Sequence, residues 1–360
     1  MKRPVFFLVC VLTAASLACN ISVGAPATAP TAIIIYITET SLPSATPMLV
    51  ITTDTASPTA TVASATFVPP SATWTPTFTA TWTPTSTNTP VPPVSGIAAK
   101  FVHTASAGNT SSNHTNINNS LTNGNPNSLV FITANWNPGG SGGTYDNAAT
   151  GVWYNTSKSK WSIFNQNISA MPISASFNVL IPGPGTPSFV HTATAGNTID
   201  NYTDINNPLT NNNPNAIVFV TPNWNPGGAG GTYDNSAIGV WYNASTNRWS
   251  IYNQNLSAMP LNASFNVMIL SAGGRTFVHT ADGGNIQSNY TYIDRNSANN
   301  HPNALVFVTA NWNPGGVGGT YNTSPIGVWY DNAERKWSIF NQDFSAMPAN
   351  ASFNVIVVDP

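Results

Sequence analysis

Charge is what this sequence has least of. Only 6% of its 360 residues are Asp, Glu, Lys or Arg, and the formal net charge is −2. An ordinary soluble domain carries about 25%. Nucleic acid is excluded as a partner, because neutralising phosphates takes a basic patch. Setting aside Lys2 and Arg3 at the N-terminus leaves eight of the ten basic residues, scattered over the rest of the chain. Cysteine is almost as scarce. Cys10 and Cys19 are the only two, both near the N-terminus. Everything after residue 19 therefore lacks disulfides and thiolate chemistry, and must be held by its apolar cores alone. No stretch shows a convincing 3.6-residue apolar period, which argues against helices.

Acids are scarce enough to exclude whole reaction classes. Between Phe101 and Ile181 the sole acidic residue is Asp146. A glycosidase needs two carboxylates flanking the scissile bond, and calcium favours several. The expectation is a protein without catalytic activity, cofactor or metal.

The N-terminus reads as an export signal over residues 1–19. Lys2 and Arg3 precede an apolar run from Val5 to Ala15, shorter than the roughly 20 residues that span a bilayer. Ser16-Leu17-Ala18-Cys19 is similar to a bacterial lipobox, which makes Cys19 the expected lipidation site and a membrane anchor. Ser16 stands where that pattern has an aliphatic residue. Ordinary cleavage after Val23-Gly24-Ala25 is the alternative. Either route implies an extracellular protein, surface-anchored or secreted. Residues 20–98 are mostly Thr, Pro, Ala and Ser and read as a disordered stalk. Fully extended, it would reach on the order of 200 Å at about 3.1 Å per residue.

What is abundant is aromatic and amide. Nine of the 11 Trp residues fall after the stalk, in an internal repeat. FVHTA begins at Phe101, Phe189 and Phe277, a constant offset of 88 residues. The repeats occupy residues 99–182, 187–271 and 275–360. Each shows five strands, which in the first are Phe101–Ala105, Ser128–Thr133, Gly151–Tyr154, Trp161–Asn165 and Ser176–Ile181. Asn-, Gly- and Pro-rich turns separate them. The third and fourth are close enough to form a hairpin. The expected fold is all-β: three tandem small antiparallel sandwiches or barrels, spaced as beads on short connectors.

The most distinctive segment runs from Asn135 to Tyr145 (NWNPGGSGGTY) and recurs at Asn223–Tyr233 and Asn311–Tyr321. A phosphate loop would also need a Lys and a following helix, and neither is present. Two readings remain. One is a long turn packed on Trp136 and Tyr145. The other is a shallow ligand loop, with Trp and Tyr rings against a sugar and Asn amides on its hydroxyls. The candidate ligand residues are Trp136, Asn137 and Tyr145, Trp224, Asn225 and Tyr233, and Trp312, Asn313 and Tyr321. His103, His191 and His279 share one position, and a lone repeated His on a strand reads as a hydrogen-bonded structural residue. Trp153, Tyr154 and Trp161 lie on the hairpin and read as core or as an exposed platform. Asn165-Gln166 and its copies satisfy buried backbone or face a ligand.

The units as a whole resemble an uncharacterised family of exported bacterial repeat domains. The resemblance rests on Phe277–Ala281, Pro302–Val308, Asn311–Tyr321, Ile326–Tyr330, Lys336–Gln342, Ala346–Pro348 and Phe353–Val355 in the third repeat, and covers all three. It implies no known activity. The functional expectation is a multivalent binding or adhesion protein, with glycan or cell-wall polymer as partner. A self-associating surface spacer is the alternative.

Overall fold

The computed structural model describes residues 96–359. The signal, Cys19 and nearly all of the Thr/Pro-rich stretch lie outside the described residues.

Repeat 1 contains β1 (Ile97–Thr104), β2 (Thr110–Ser111), β3 (His114–Asn116), β4 (Phe131–Asn135), β5 (Thr150–Asn155), β6 (Lys160–Asn165) and β7 (Ser176–Pro182). Repeat 2 contains β8 (Ser188–Thr192), β9 (Thr198–Ile199), β10 (Tyr202–Asp204), β11 (Ile217–Pro222), β12 (Ile238–Asn243), β13 (Arg248–Asn253) and β14 (Ser264–Leu270). Repeat 3 contains β15 (Thr276–Thr280), β16 (Ile286–Gln287), β17 (Tyr290–Ile293), β18 (Leu305–Asn311), β19 (Ile326–Asp331), β20 (Lys336–Asn341) and β21 (Ser352–Val358). The five expected strands and the β5–β6 hairpin are present in each repeat. Two short polar strands, β2 and β3 in repeat 1, add to them.

Each repeat is an antiparallel sandwich. In repeat 1 a three-stranded sheet, β1-β7-β4, faces a four-stranded sheet, β2-β3-β6-β5. Trp161, Ile163, Phe177 and Val179 fill the space between them. Equivalent cores sit in repeats 2 and 3 around Trp249 and Trp337.

The three sandwiches are not separate beads. β19 of repeat 3 pairs in parallel with β4 of repeat 1, through Gly327 with Ala134 and Val328 with Asn135. β12 of repeat 2 pairs the same way with β18 of repeat 3. A single bridge, Val152 with Asn223, makes the matching junction between repeats 1 and 2. The repeats therefore close into a ring with quasi-threefold symmetry. Head-to-tail contacts of this kind make a ring when the rotation closes, and here it closes after three.

The outer faces of the three-stranded sheets meet on the ring axis. Phe131, Phe219 and Phe307 lie there with Leu180, Met268 and Ile356. This explains why β7, β14 and β21 are buried along nearly their whole length. Alternate residues serve two cores: Phe177 and Val179 point into the repeat, Leu180 toward the axis.

A shared axial core couples the stability of the repeats. Calorimetry of the ring should give one cooperative transition; three separable ones would show independent domains. Phe219→Ala should cost about 3–5 kcal/mol, lowering that single transition rather than splitting off repeat 2.

Candidate functional site at the repeat junctions

The NWNPGG segments are the joints of the ring. After β4 the chain turns through Pro138–Gly140, and Trp136 N–H donates to Val328 O of repeat 3 at 2.9 Å. The Asn137 side chain then acts as one more peptide group. It accepts from Tyr330 N–H at 2.7 Å and donates to Tyr330 O at 2.8 Å. Asn225 does the same to Tyr154 and Asn313 to Tyr242. These asparagines are buried, at 3%, 2% and 3% exposure. Asn137, Asn225 and Asn313 therefore leave the ligand set, because both ends of each amide are engaged by the neighbouring backbone.

A second amide relay runs toward the axis. Asn135 donates to Asn178, which donates to Val306 O of repeat 3. Asn223–Asn266 reaches Val130 O and Asn311–Asn354 reaches Val218 O in the same way. Gln166 also crosses a junction, accepting from Asp234 N–H at 3.4 Å. The second glycine pair serves the turn itself. A Cβ on Gly143 would lie 1.4 Å from Trp136 O, and one on Gly231 1.5 Å from Trp224 O. Only glycine lets the loop fold back over its own tryptophan.

The aromatic residues sort by face. Trp161 is fully buried and donates from Nε1 to Asn125 O. Tyr154 is buried in the same core. Trp153 points outward, half-buried, and meets Trp224 of the next repeat edge-on, with centroids 6.2 Å apart. Trp136 and Tyr145 stay together, 5.4 Å apart and tilted by 35°. Tyr145 also packs edge-on against Phe340 of repeat 3. The candidate Trp and Tyr residues are thus brought together across repeats. Their partners, Trp153, Trp241 and Trp329, come from the preceding repeat in the ring.

At the junction of repeats 2 and 3 these rings enclose a cleft of about 310 Å³. Tyr202, Trp241 and Tyr252 come from repeat 2, and Trp312 and Tyr321 from repeat 3; Asn201 sits at its edge. The rings do not form a flat platform. Tyr202 stands at 90° to Trp241, and Trp241 at 87° to Trp312. Tyr321, 43% exposed, forms the rim. The other junctions vary this plan. His114 and Phe164 replace Tyr202 and Tyr252 between repeats 1 and 2. Between repeats 3 and 1, Phe344 packs against Tyr145 with centroids 4.6 Å apart and planes tilted by 57°. Tyr202 and Tyr290 each sit in an Asn-Tyr-Thr triplet, with no aromatic residue directly adjacent to mark them as part of a site.

The histidines are structural. His103 Nε2 lies 2.8 Å from Thr115 Oγ1, whose proton goes to Asn109. The ring therefore donates from Nε2, and burial pushes its pKa down to about 4. His191 and His279 repeat this arrangement. Among the described residues no group of three or more His, Cys, Asp or Glu side chains gathers as a metal site.

Buried acids mark two of the three repeats. Asp146 accepts from Asn165 Nδ2 at 3.0 Å, while its Oδ2 and Asn165 Oδ1 are buried without a donor. Burial pushes Asp146 and Asp234 up to about 6. Repeat 3 has Asn322 there, which donates to Asn341 Oδ1 at 2.7 Å and fills the gap a proton would fill.

Two measurements check this reading. Asn225→Ala removes both ends of a junction rung and should destabilise the ring by about 2–3 kcal/mol, seen in denaturant titration. For the acids, a folded pKa raised above the unfolded value near 3.8 means stability is greatest below 3.8 and falls as pH rises through 6. Asp146→Asn with Asp234→Asn should flatten that fall. The gain at pH 7–8 should be up to about 3 kcal/mol per site, read as melting temperature against pH.

No curated protein and no solved structure matches the chain. One family's sequence profile matches three times, over residues 91–159, 151–269 and 239–357. The second and third matches begin in the β5-type strand of one repeat and end in the last strand of the next, so each straddles a junction. The chain belongs to this family, described as a domain of unknown function (DUF7452), and carries it in three tandem copies.

Proposed function

We propose that the ring is a multivalent sugar-binding module, displayed outside the cell and holding glycans or cell-wall polymer in its aromatic junction clefts. The observation that carries this reading is the cleft between repeats 2 and 3. It has five aromatic rings, a neutral amide at Asn201 and a volume in the range of small-ligand sites. Aromatic faces suit the C–H faces of sugars, and uncharged amides and phenols suit their hydroxyls. Of its five rings the sequence nominates Trp312 and Tyr321 as ligand residues; Tyr202, Trp241 and Tyr252 join them across the junction, and the asparagines are withdrawn into the joints.

Three junctions on one ring, each bringing a pair of tryptophans together, also favour the reading over a spacer. The junction edges are used within the ring, so the repeats do not lengthen one another end to end. Linked weak sites gain avidity of about 10²–10⁴ on a dense polymer without any new contact. Export and a lipid anchor at Cys19 belong to the same proposal, and no catalytic step is part of it.

The full chain on a glycan array and in polysaccharide pull-down tests this. Binding to at least one neutral polysaccharide is expected. Tyr202→Ala with Tyr321→Ala should weaken it about tenfold without unfolding the ring, since neither ring belongs to a buried core cluster. Absence of binding to every polysaccharide and cell-wall preparation would overturn the proposal.

A further inference from the structure

We infer that repeat 1 carries a second binding site, separate from the junction clefts: a basic groove for an acidic sugar chain. The groove has a volume of about 570 Å³ and lies at the open side of the sandwich, lined by Phe101, His103, Asn109, Asn118, Lys158 and Lys160. It combines two cations with a half-buried phenyl ring and amides. No acid lines it. The sole carboxylate of the repeat, Asp146, is buried and bonded to Asn165. Lys158 and Lys160 have no ion-pair partner among the described residues.

The same place in repeat 3 is closed by its own side chains. Arg295 lies 4.7 Å over the Phe277 ring, which is 7% exposed. Lys336 is paired with Asp294 at 2.9 Å. Tyr292 donates to Asp331 at 2.7 Å. In repeat 1 the four positions equivalent to Tyr292, Asp294, Arg295 and Asp331 are Asn116, Asn118, Asn119 and Asn155. Asn119 in place of Arg295 removes the lid over the phenyl ring, Asn118 in place of Asp294 removes the counter-charge of a lysine, and Asn116 with Asn155 removes the Tyr–Asp bond. Repeat 2 stands between, with Asp204 in place of Asn116 and Thr246 in place of Lys158. On an 88-residue scaffold that is otherwise so closely repeated, one copy has been left open and positive.

The chemistry points to a ligand with carboxylate or sulfate groups spaced along a sugar backbone. Two lysines satisfy two such anions at modest energy, and Phe101 offers a ring face for the pyranose between them. His103 is neutral and bonded to Thr115, so it adds no charge of its own.

Titration calorimetry of the full chain tests this with three probes of equal length: oligogalacturonate, its methyl ester and inorganic polyphosphate. Oligogalacturonate is expected to bind and to weaken as salt rises. It should bind about tenfold more weakly to Lys158→Ala with Lys160→Ala, and unchanged to Lys336→Ala. Equal binding of the ester, no effect of the double substitution, or polyphosphate binding at least as tightly would each overturn the inference. Lys158 is exposed in the β5–β6 turn and Lys160 is the partly buried first residue of β6, and a melting curve of the double variant confirms that it is folded. Neutral-glycan binding through Tyr202 and Tyr321 is read on a different ligand, so loss of one site leaves the other measurable.

Discussion

The ring depends on an asparagine side chain standing in for a peptide group. Parallel pairing between neighbouring repeats is only two residues long at two junctions and one bridge at the third. Asn137, Asn225 and Asn313 extend each by a further pair of hydrogen bonds, made where water is excluded. An unpaired buried amide would cost about 1–3 kcal/mol, so each rung holds the neighbour's strand to one register. The Asn178-type relays do the same on the axial side. Amides suit this task in a chain nearly free of charge, because they can pair with backbone or with one another and need no counter-ion.

That constraint also makes the clefts. Once a tryptophan is fixed beside the neighbour's strand, its ring must meet the outward Trp of that strand. The two pack edge-on at 6.2 Å at all three junctions. The cleft is therefore a by-product of ring closure. Its walls vary where the joint does not constrain them: His114 stands where the other repeats have Tyr202 and Tyr290, and Ile168, Leu256 and Phe344 all differ. The latter three hold positive φ values of 65°, 61° and 63° while exposed, an unfavoured backbone state for a β-branched or bulky residue.

Much of the sandwich was legible in the sequence, and little of the ring. Val/Ile/Phe-rich runs and Gly/Pro turns marked the five longer strands. β2 and β3 were missed because Thr110–Ser111 and His114–Asn116 carry no apolar alternation. The ring was hidden for a physical reason: Asn135, Asn137 and Asn178 look like surface residues in any composition. One clue was available. The runs at Leu129–Ile132 and Val179–Ile181 are apolar on both faces, and a lone small sandwich has only one face to bury. The aromatic site was half legible. Trp136 and Tyr145 were identified, but the partners across the junction require knowing that repeat 3 lies beside repeat 1 in space.

The strand directions give the ring two unlike poles. Ile97 packs against the axial apolar cluster that also contains Leu305 and Val358, so the first and last strands begin and end at that pole. β4 runs from Phe131 near that pole to Asn135, and the tryptophan turns follow it at the other. The ring thus receives and releases its chain on one side and turns its tryptophan joints to the other, so entry and joint never compete for the same surface.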